Sequence, residues 1–290
     1  LLRGYKREEV VVVSPNRVDE FISQDTKIVG IHTMDPLGLG PLSMMFTSGI
    51  FTSYTKKCFF DVVNRVNKAR RRKNLKTKIL VGGQGGWQFE YRPKKIEELE
   101  IDHVLIGEMD HIAHDIFRQI EEDGSSTPPL AKFSRPPKVD EIPRIVAPSL
   151  HGLIEVMRGC GRNCDFCDVN LRRARYIPPE KVVEEVKVNV KAGIGNVWIQ
   201  SDDIFLYKLE DHRDFMPNVD ALLELFETII SVKGVTHSNP THGTVSPAVA
   251  DPDLISRLSK ILRAGPDNFI GIQTGAETGS NRLMKQFMPL

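Results

Sequence analysis

Short apolar runs that end in glycine or polar residues recur along the first part of the chain. They cover residues 27–32, 78–81 and 103–106, and residues 10–13 form a similar run. Stretches with helical spacing separate them, the longest at residues 59–73. This alternation is typical of βαβ units, so it predicts an α/β fold with a parallel sheet covered on both faces. In such sheets, ligands bind beyond the carboxyl ends of the strands.

A second βα series begins near residue 151. It predicts strands at residues 152–157, 196–200, 234–237 and 269–273. Apolar side chains on one helical face predict helices at 180–192, 222–230 and 254–262. About four βα units indicate a partial (β/α) barrel whose chemistry lies at the carboxyl ends of its strands.

A proline-rich stretch separates the two series. Residues 124–150 contain six prolines and little periodicity, which predicts an extended linker rather than a helix. We therefore expect a first domain at 1–123 and a second at 151–290. The chain starts at Leu1 rather than Met and stops inside a strand-helix unit at Leu290, so we expect a fragment clipped at both ends.

Composition narrows the class of protein without naming a function. A hydrophobic fraction of 40% and a charged fraction of 27% are ordinary for soluble globular chains. The formal net charge of +1 provides no large field, which disfavours nucleic acid and membrane surfaces as partners. The basic run at 68–78 ends a predicted helix, where cations suit the helix dipole. No secretory leader or bilayer-length apolar run is visible, so a cytoplasmic location is expected.

Three of the four cysteines lie within eight positions of one another, at Cys160, Cys164 and Cys167. They directly follow a predicted strand, and glycines beside them allow a tight loop. Three thiolates can each bind one iron of a cubane, which leaves the fourth iron open to a ligand. Three alternatives compete: a zinc site completed by a residue such as His151, a ferredoxin-type cluster completed by Cys58, and a chance grouping of buried cysteines.

The CxxxCxxC loop after a first barrel strand, with Phe166 before the third cysteine, resembles the radical S-adenosylmethionine (SAM) superfamily. The resemblance implies a [4Fe-4S] cluster on Cys160, Cys164 and Cys167. It further implies that SAM chelates the open iron and is cleaved by one electron to a 5′-deoxyadenosyl radical. Phe166 would lie near the adenine, and a low-potential flavodoxin or ferredoxin would donate the electron.

Residues after the later strands extend this resemblance. Ser201 and Asp202 follow the second barrel strand, where the family holds the methionyl amino group, although capping of a helix is the alternative. Gln273 and Glu277 belong to a glycine-rich segment that resembles the family's fourth strand, and there Thr278 or Ser280 could instead cap the next helix. A polar cluster at the third strand adds candidates for substrate or cofactor binding: His237, Asn239 and His242.

The front domain resembles the Rossmann-like cobalamin-binding domain that precedes the radical module in a large subfamily. Three loops after its strands would carry the cofactor, and their candidate residues are Thr33, Met34, Asp35, Gly82, Gly83, Gly107 and Glu108. The Asp-x-His-x-x-Gly pattern that ligates cobalt is missing, and His32 lacks its partners. The resemblance therefore implies cobalamin bound without histidine ligation, or a domain that kept its fold and lost its ligand.

The function implied by this domain order is cobalamin-dependent methyl transfer to an unactivated carbon of an unidentified small molecule or peptide. Methylthio transfer to transfer RNA or protein is an alternative, but it normally needs a second cluster on several front-domain cysteines, and only Cys58 is present there. A redox or sensor protein that uses the cluster alone is the non-enzymatic alternative.

Overall fold

The structure is a computed structural model that separates into two compact units, Leu1–Pro137 and Lys138–Leu290. It describes residues 4–123, 126–162, 164–165, 167, 173–211, 213 and 215–288, with the side chain of residue 123 left out. Within these residues no helix is both long enough and apolar enough to cross a membrane.

The first unit contains one sheet whose four strands run parallel in the order β1-β2-β3-β4. Helices lie between consecutive strands, which confirms the predicted α/β class. The elements are β1 (Ile28–His32), α1 (Pro41–Thr47), α2 (Tyr54–Arg72), β2 (Lys78–Gly82), α3 (Gln88–Tyr91), α4 (Lys94–Glu98), β3 (His103–Ile106), α5 (Ala113–Asp123) and β4 (Leu130–Lys132).

Apolar side chains cover both faces of this sheet. Alternate residues of β2 point to opposite faces, so Val81 packs with Val63 of α2 while Leu80 packs with Ile116 of α5. All four are almost fully buried. The prediction of a sheet buried on two sides is therefore confirmed.

One predicted strand of the first unit is wrong. Residues 10–13 have no strand partner, and Val12 is 97% exposed. A β-branched run favours extended backbone, but a strand forms only where a neighbour supplies the hydrogen bonds. Here the described sheet begins instead with β1.

Three cations of the basic run at 68–78 pair with acidic groups: Arg70, Arg71 and Lys78. Arg70 donates to Asp102 Oδ2 at 2.6 Å, and Lys78 donates to the other carboxylate oxygen at 3.1 Å. The backbone N–H of Ile79 also donates to Asp102, at 2.9 Å. Burial acts to raise the pKa of Asp102, but these three donors outweigh it and hold the pKa below its ordinary value.

Asp102→Asn is expected to flatten the acid dependence of stability in the first unit. A lowered folded-state pKa stabilises the fold above the unfolded-state pKa of about 3.9, and this stabilisation disappears as the pH falls through the folded value. The free energy of unfolding should therefore fall less between pH 5 and pH 2 in the variant. Urea titrations followed by Trp87 fluorescence, in a Trp198→Phe background, measure it. Equal acid slopes would contradict the assignment.

The proline-rich stretch is divided between the two units. Its first half supplies β4, which pairs with β3. Its second half lies along α6 (Pro179–Lys191), where Ile145 N–H donates to Glu185 and Ser149 N–H donates to Asn189. Buried acceptors on a helix can fix an extended strand-like segment without regular structure. Two parts of the predicted linker, residues 130–132 and 145–149, are therefore bonded to regular elements.

The second unit contains a parallel sheet of order β5-β8-β9 and a short antiparallel pair, β6-β7. Helices α6, α7 and α9 match the three predicted from apolar spacing to within three residues at each end. The elements after α5 and β4 are β5 (Leu153–Glu155), β6 (Met157–Arg158), β7 (Arg175–Tyr176), α6, β8 (Asn196–Gln200), α7 (Val219–Ser231), β9 (His237–Pro240), α8 (Ser246–Ala250), α9 (Pro252–Ile261) and α10 (Asn281–Phe287).

Two predicted strands of the second unit are corrected. The third barrel strand lies at His237–Pro240 rather than at 234–237, because Gly234 has a φ of +101° and still belongs to the turn after α7. Residues 269–273 form no strand, only a bridge from Gln273 to His242. In its place, the amide of Asn239 accepts from Gly271 N–H at 2.8 Å and donates to Gly271 O at 2.7 Å.

Candidate functional site

The cysteine loop lies between β6 and β7, the two strands of the short antiparallel pair. It therefore follows the carboxyl end of β5, as the predicted barrel geometry requires. Cys160 is buried, Cys164 and Cys167 are half-buried, and Cys167 N–H donates to Cys164 O at 3.0 Å. This turn brings the second and third cysteines together. The fourth residue of interest, Phe166, lies outside the described residues.

The chemistry of the donor set fits a cubane. Burial raises the pKa of the Cys160 thiol to about 11, so binding of iron must displace its proton. Among the described residues, no three His, Cys, Asp or Glu side chains converge as ligands to one metal ion. A cubane does not need such convergence, because its cysteines bind separate irons.

Asp202 fixes the start of this loop. Its Oδ2 accepts from Gly159 N–H at 2.6 Å, and Gly159 is itself buried. The sequence assigned Asp202 to the methionyl amino group of SAM or to a helix cap. The structure shows it bonded to the cysteine loop, and its contact with SAM stays a prediction. The cap of the following turn is Asp203, whose side chain accepts from Phe205 N–H.

Asp202→Ala removes the acceptor of the Gly159 N–H and is expected to loosen the attachment of the cysteine loop to the end of β8. Asp202→Asn keeps an oxygen that can accept this hydrogen bond. A buried N–H without a partner costs about 1–3 kcal/mol. Iron retained after anaerobic reconstitution and gel filtration should therefore fall in the alanine variant and remain near the parent value in the asparagine variant. If both variants retain iron equally, the hydrogen bond has no role in holding the loop.

Ser201 lies directly before these acids, at the end of β8. It is 1% exposed, and its Oγ has no hydrogen-bond partner among the residues that the structure describes. The predicted contact of Ser201 with SAM stays a prediction, but the hydroxyl is oriented into the interior of the unit rather than to solvent. It does not cap a helix.

Gln273 and Glu277 lie in the segment after α9. Gln273 is exposed and is fixed through its backbone, which donates to Thr241 O at 2.9 Å. Glu277 shares a cavity of about 520 Å³ with Asp165 of the cysteine loop, and Asp165 N–H donates to Phe287 O at 3.1 Å. The structure thus brings Glu277 beside the cysteine loop. Ser280, as the alternative held, caps α10.

The polar cluster at β9 has structural partners. His237 Nδ1 pairs with Asn268 Oδ1, and the Asn239 amide bonds to Gly271. His242 O accepts from Ile204 N–H at 3.0 Å. These contacts join β9 to its neighbours, so two of the three candidate side chains are occupied within the protein.

In the first unit, Asp35 organises the loop after β1. It accepts from Gly40 N–H at 2.9 Å, from Gln88 Nε2 at 2.5 Å and from Thr55 Oγ1 at 3.2 Å. Burial acts to raise the pKa of Asp35, yet the donors outweigh it and lower the pKa. The carboxylate is thus used within the protein, while its neighbour Met34 is 68% exposed.

The glycines of this edge are explained by close packing. A Cβ on Gly83, whose φ is +95°, would lie 2.7 Å from Thr33 O, and one on Gly107, at +123°, would lie 2.3 Å from Phe133 O. Gly82 O accepts from Thr33 N–H at 2.9 Å, and Glu108 is half-buried beyond Gly107. The loops need glycine for their own contacts, and their binding of cobalamin stays a prediction.

Three charged or polar residues near the cysteines were not found from the sequence: Arg162, Asp203 and Thr244. Asp203 is 1% exposed and accepts from Thr244 Oγ1 at 2.8 Å. Thr244 Oγ1 in turn accepts from Arg162 Nη2 at 3.1 Å. The sequence did show that Arg162 lies between two cysteines and that Asp203 and Thr244 follow predicted strands. Neither signal showed that these three residues contact one another.

Residues 154–288 match the family described as the Radical SAM superfamily. Curated relatives include tRNA-2-methylthio-N(6)-dimethylallyladenosine synthases. The one from Shewanella loihica is 26% identical over 68% of this chain and 44% of its own length. Those from Shewanella woodyi and Vibrio vulnificus are 26% and 21% identical over 75% and 78% of this chain, and 48% and 49% of their own lengths. The chain spans about half the length of these relatives.

Solved structures share the fold over most of the chain. The radical S-adenosylmethionine methyltransferase TsrM from Kitasatospora setae, with tryptophan substrate and a SAM analogue bound, has a TM-score of 0.59 and 13% identity. The alignment covers 94% of this chain and 52% of that one. A second structure, with cobalamin and a [4Fe-4S] cluster bound, gives a TM-score of 0.58 and 14% identity over 94% of this chain and 53% of the other. The part of the chain that carries the cysteine loop, residues 154–288, is thus similar to the Radical SAM superfamily.

Proposed function

We propose that this chain performs radical SAM chemistry at a [4Fe-4S] cluster held by Cys160, Cys164 and Cys167. The observation that carries the proposal is the placement of three thiols on one loop at the carboxyl edge of a parallel sheet. That loop is bonded to the ends of the two neighbouring strands, through Asp202 after β8 and Thr244 after β9.

The residues of this chain supply the binding and the shielding. When bound, the cluster supplies an open iron for SAM and the electron that cleaves its sulfonium to a 5′-deoxyadenosyl radical. Glu277 and Asp165 line a cavity beside the loop, and carboxylates there suit the amino and hydroxyl groups of SAM. Buried Ser201 offers a further hydrogen-bonding group. A low-potential flavodoxin or ferredoxin is the proposed electron donor.

The reaction we favour is cobalamin-dependent methyl transfer to an unactivated carbon of a small molecule or peptide. It is supported by the likeness of fold to TsrM, which extends across both units and includes a structure with cobalamin bound. It is also supported by the loop after β1, which Asp35 organises and in which Met34 is exposed. Histidine ligation of cobalt is not part of this proposal.

A second candidate, methylthio transfer, is favoured by the curated relatives, whose names specify a methylthio product on transfer RNA. Within residues 1–137 the chain has a single cysteine, Cys58. A second cluster in this part of the chain would need more thiolates than that. We therefore place methylthio transfer behind methyl transfer.

Anaerobic reconstitution with iron and sulfide, followed by SAM, dithionite and hydroxocobalamin, tests both levels of the proposal. Release of 5′-deoxyadenosine is expected, together with a cobalamin spectrum that remains with the protein after gel filtration. If SAM is still cleaved but cobalamin does not stay with the protein, the proposed cobalamin-dependent methyl transfer is contradicted, while the proposed radical SAM chemistry is not. Intact SAM beside a cluster that cycles reversibly would favour the sensor alternative and contradict the enzyme.

A further inference from the structure

The guanidinium of Arg162 lies inside the second unit, although the residue belongs to the loop between Cys160 and Cys164. Only 12% of its side chain is exposed. Its Cζ lies 4.7 Å from the centre of the Phe215 ring, and Nη2 donates to Thr244 Oγ1 at 3.1 Å. A buried cation held by stacking and hydrogen bonding has little freedom to move.

The partner charge of Arg162 is fixed independently of it. Asp203, with 2% of its side chain exposed, lies 3.6 Å from Arg162 Nε. Its carboxylate also accepts from Thr244 N–H at 3.2 Å, from Thr244 Oγ1 at 2.8 Å and from Phe205 N–H at 3.2 Å. Separating Arg162 from Asp203 would leave a buried charge without its partner, which is strongly destabilising. The pair therefore holds Arg162, which lies between Cys160 and Cys164, in place.

Both charges lie at the cysteine loop. Arg162 is two residues from Cys160 and two residues from Cys164, and the carboxylate of Asp203 lies 3.6 Å from Arg162 Nε. Charges and hydrogen bonds around ligand sulfurs are what tune an iron-sulfur potential. A nearby cation stabilises the more negative, reduced state, and a nearby anion opposes it.

We propose that Arg162 is a positioning residue that holds the cysteine loop in its cluster-binding form and raises the reduction potential of the bound cluster, while Asp203 offsets part of that rise. The inference rests on the proposed function, since it requires a cluster on Cys160, Cys164 and Cys167. It adds a residue pair that the cysteine motif itself does not specify.

Potentiometric titrations monitored by electron paramagnetic resonance (EPR), on the reconstituted full chain, test the proposal. Arg162→Gln should shift the midpoint potential to more negative values, and Asp203→Asn should shift it to more positive ones. Arg162→Lys restores the charge and should return the potential toward that of the parent. The matched control is Arg257→Gln, which removes an arginine that is 46% exposed and pairs with Asp220 at 3.9 Å; its potential should equal that of the parent.

Iron content, measured on the same samples, separates the possible outcomes. Loss of iron from Arg162→Gln with retention in Arg162→Lys supports the positioning role, and the Asp203→Asn titration then reports on the charge effect. Full clusters with unchanged potentials in all three variants would overturn the inference while leaving the proposed function intact. A parent protein that assembles no cubane would instead remove the proposed function itself.

Discussion

Replacing Cys164 with serine is expected to abolish cluster assembly and with it the release of 5′-deoxyadenosine. The thiolate is the ligand that iron requires, and a serine hydroxyl is a poor substitute at neutral pH. Changes in residues that only support metal ligands lower activity by about 10–100-fold, so loss of a ligand should cost at least as much. Iron analysis and a product assay on the anaerobic variant measure both effects.

The matched control is Cys58→Ser. Cys58 is half-buried on α2 in the first unit, and the proposed cluster does not use it. Its variant should keep the iron and the product yield of the parent. The account would be contradicted if Cys58→Ser lost the cluster, or if Cys164→Ser kept it.

Phe226→Ala is expected to destabilise the second unit by about 3–5 kcal/mol, the usual cost of emptying a large buried aromatic site. Phe226 on α7 is fully buried in the core that also contains Val186 of α6 and Leu254 of α9. That core supports the strands from which the cysteine loop and Asp203 extend. Urea unfolding followed by Trp198 fluorescence, in a Trp87→Phe background, gives the loss of free energy.

Val249→Ala is the control for that measurement, because Val249 on α8 is 71% exposed. A surface truncation of this kind should change the free energy of unfolding by less than about 0.5 kcal/mol. Equal effects of the two substitutions would contradict the core described for this unit.

The helices were predictable because their signal is local. Val182 and Val186 lie four residues apart, as do Leu222 and Phe226, and each pair forms part of one apolar helical face whatever the rest of the chain does. The strands at 10–13 and 269–273 were wrong because an extended run becomes a strand only beside a partner. At Gly271 that partner is a side chain, Asn239, which takes both backbone hydrogen bonds.

In the candidate site, too, residues that are close in sequence were predictable and residues that are distant in sequence were not. Cys160, Cys164 and Cys167 are close in sequence, so their spacing was sufficient to identify the loop. Asp203 and Thr244 meet across 41 positions, and Arg162 and Thr244 across 82. Only the parallel pairing of β5, β8 and β9 brings those residues to one edge, which is information that no local pattern contains.

The glycines of the first unit show a third limit of prediction from sequence. Glycines after β2 and β3 suggested a cofactor cradle, and glycine is also what close backbone packing requires. The structure supplies the packing reason at Gly83 and Gly107. A glycine pattern alone therefore does not distinguish a ligand site from a tight turn.

The central claim is that three cysteines hold a cubane with one iron open to SAM. EPR spectroscopy of the anaerobically reconstituted and reduced chain, recorded with and without SAM, tests it most directly. The account predicts about four iron and four sulfide per chain and a reduced-cluster signal that changes when SAM is added. A single zinc per chain, or a cluster signal unaffected by SAM, would contradict it.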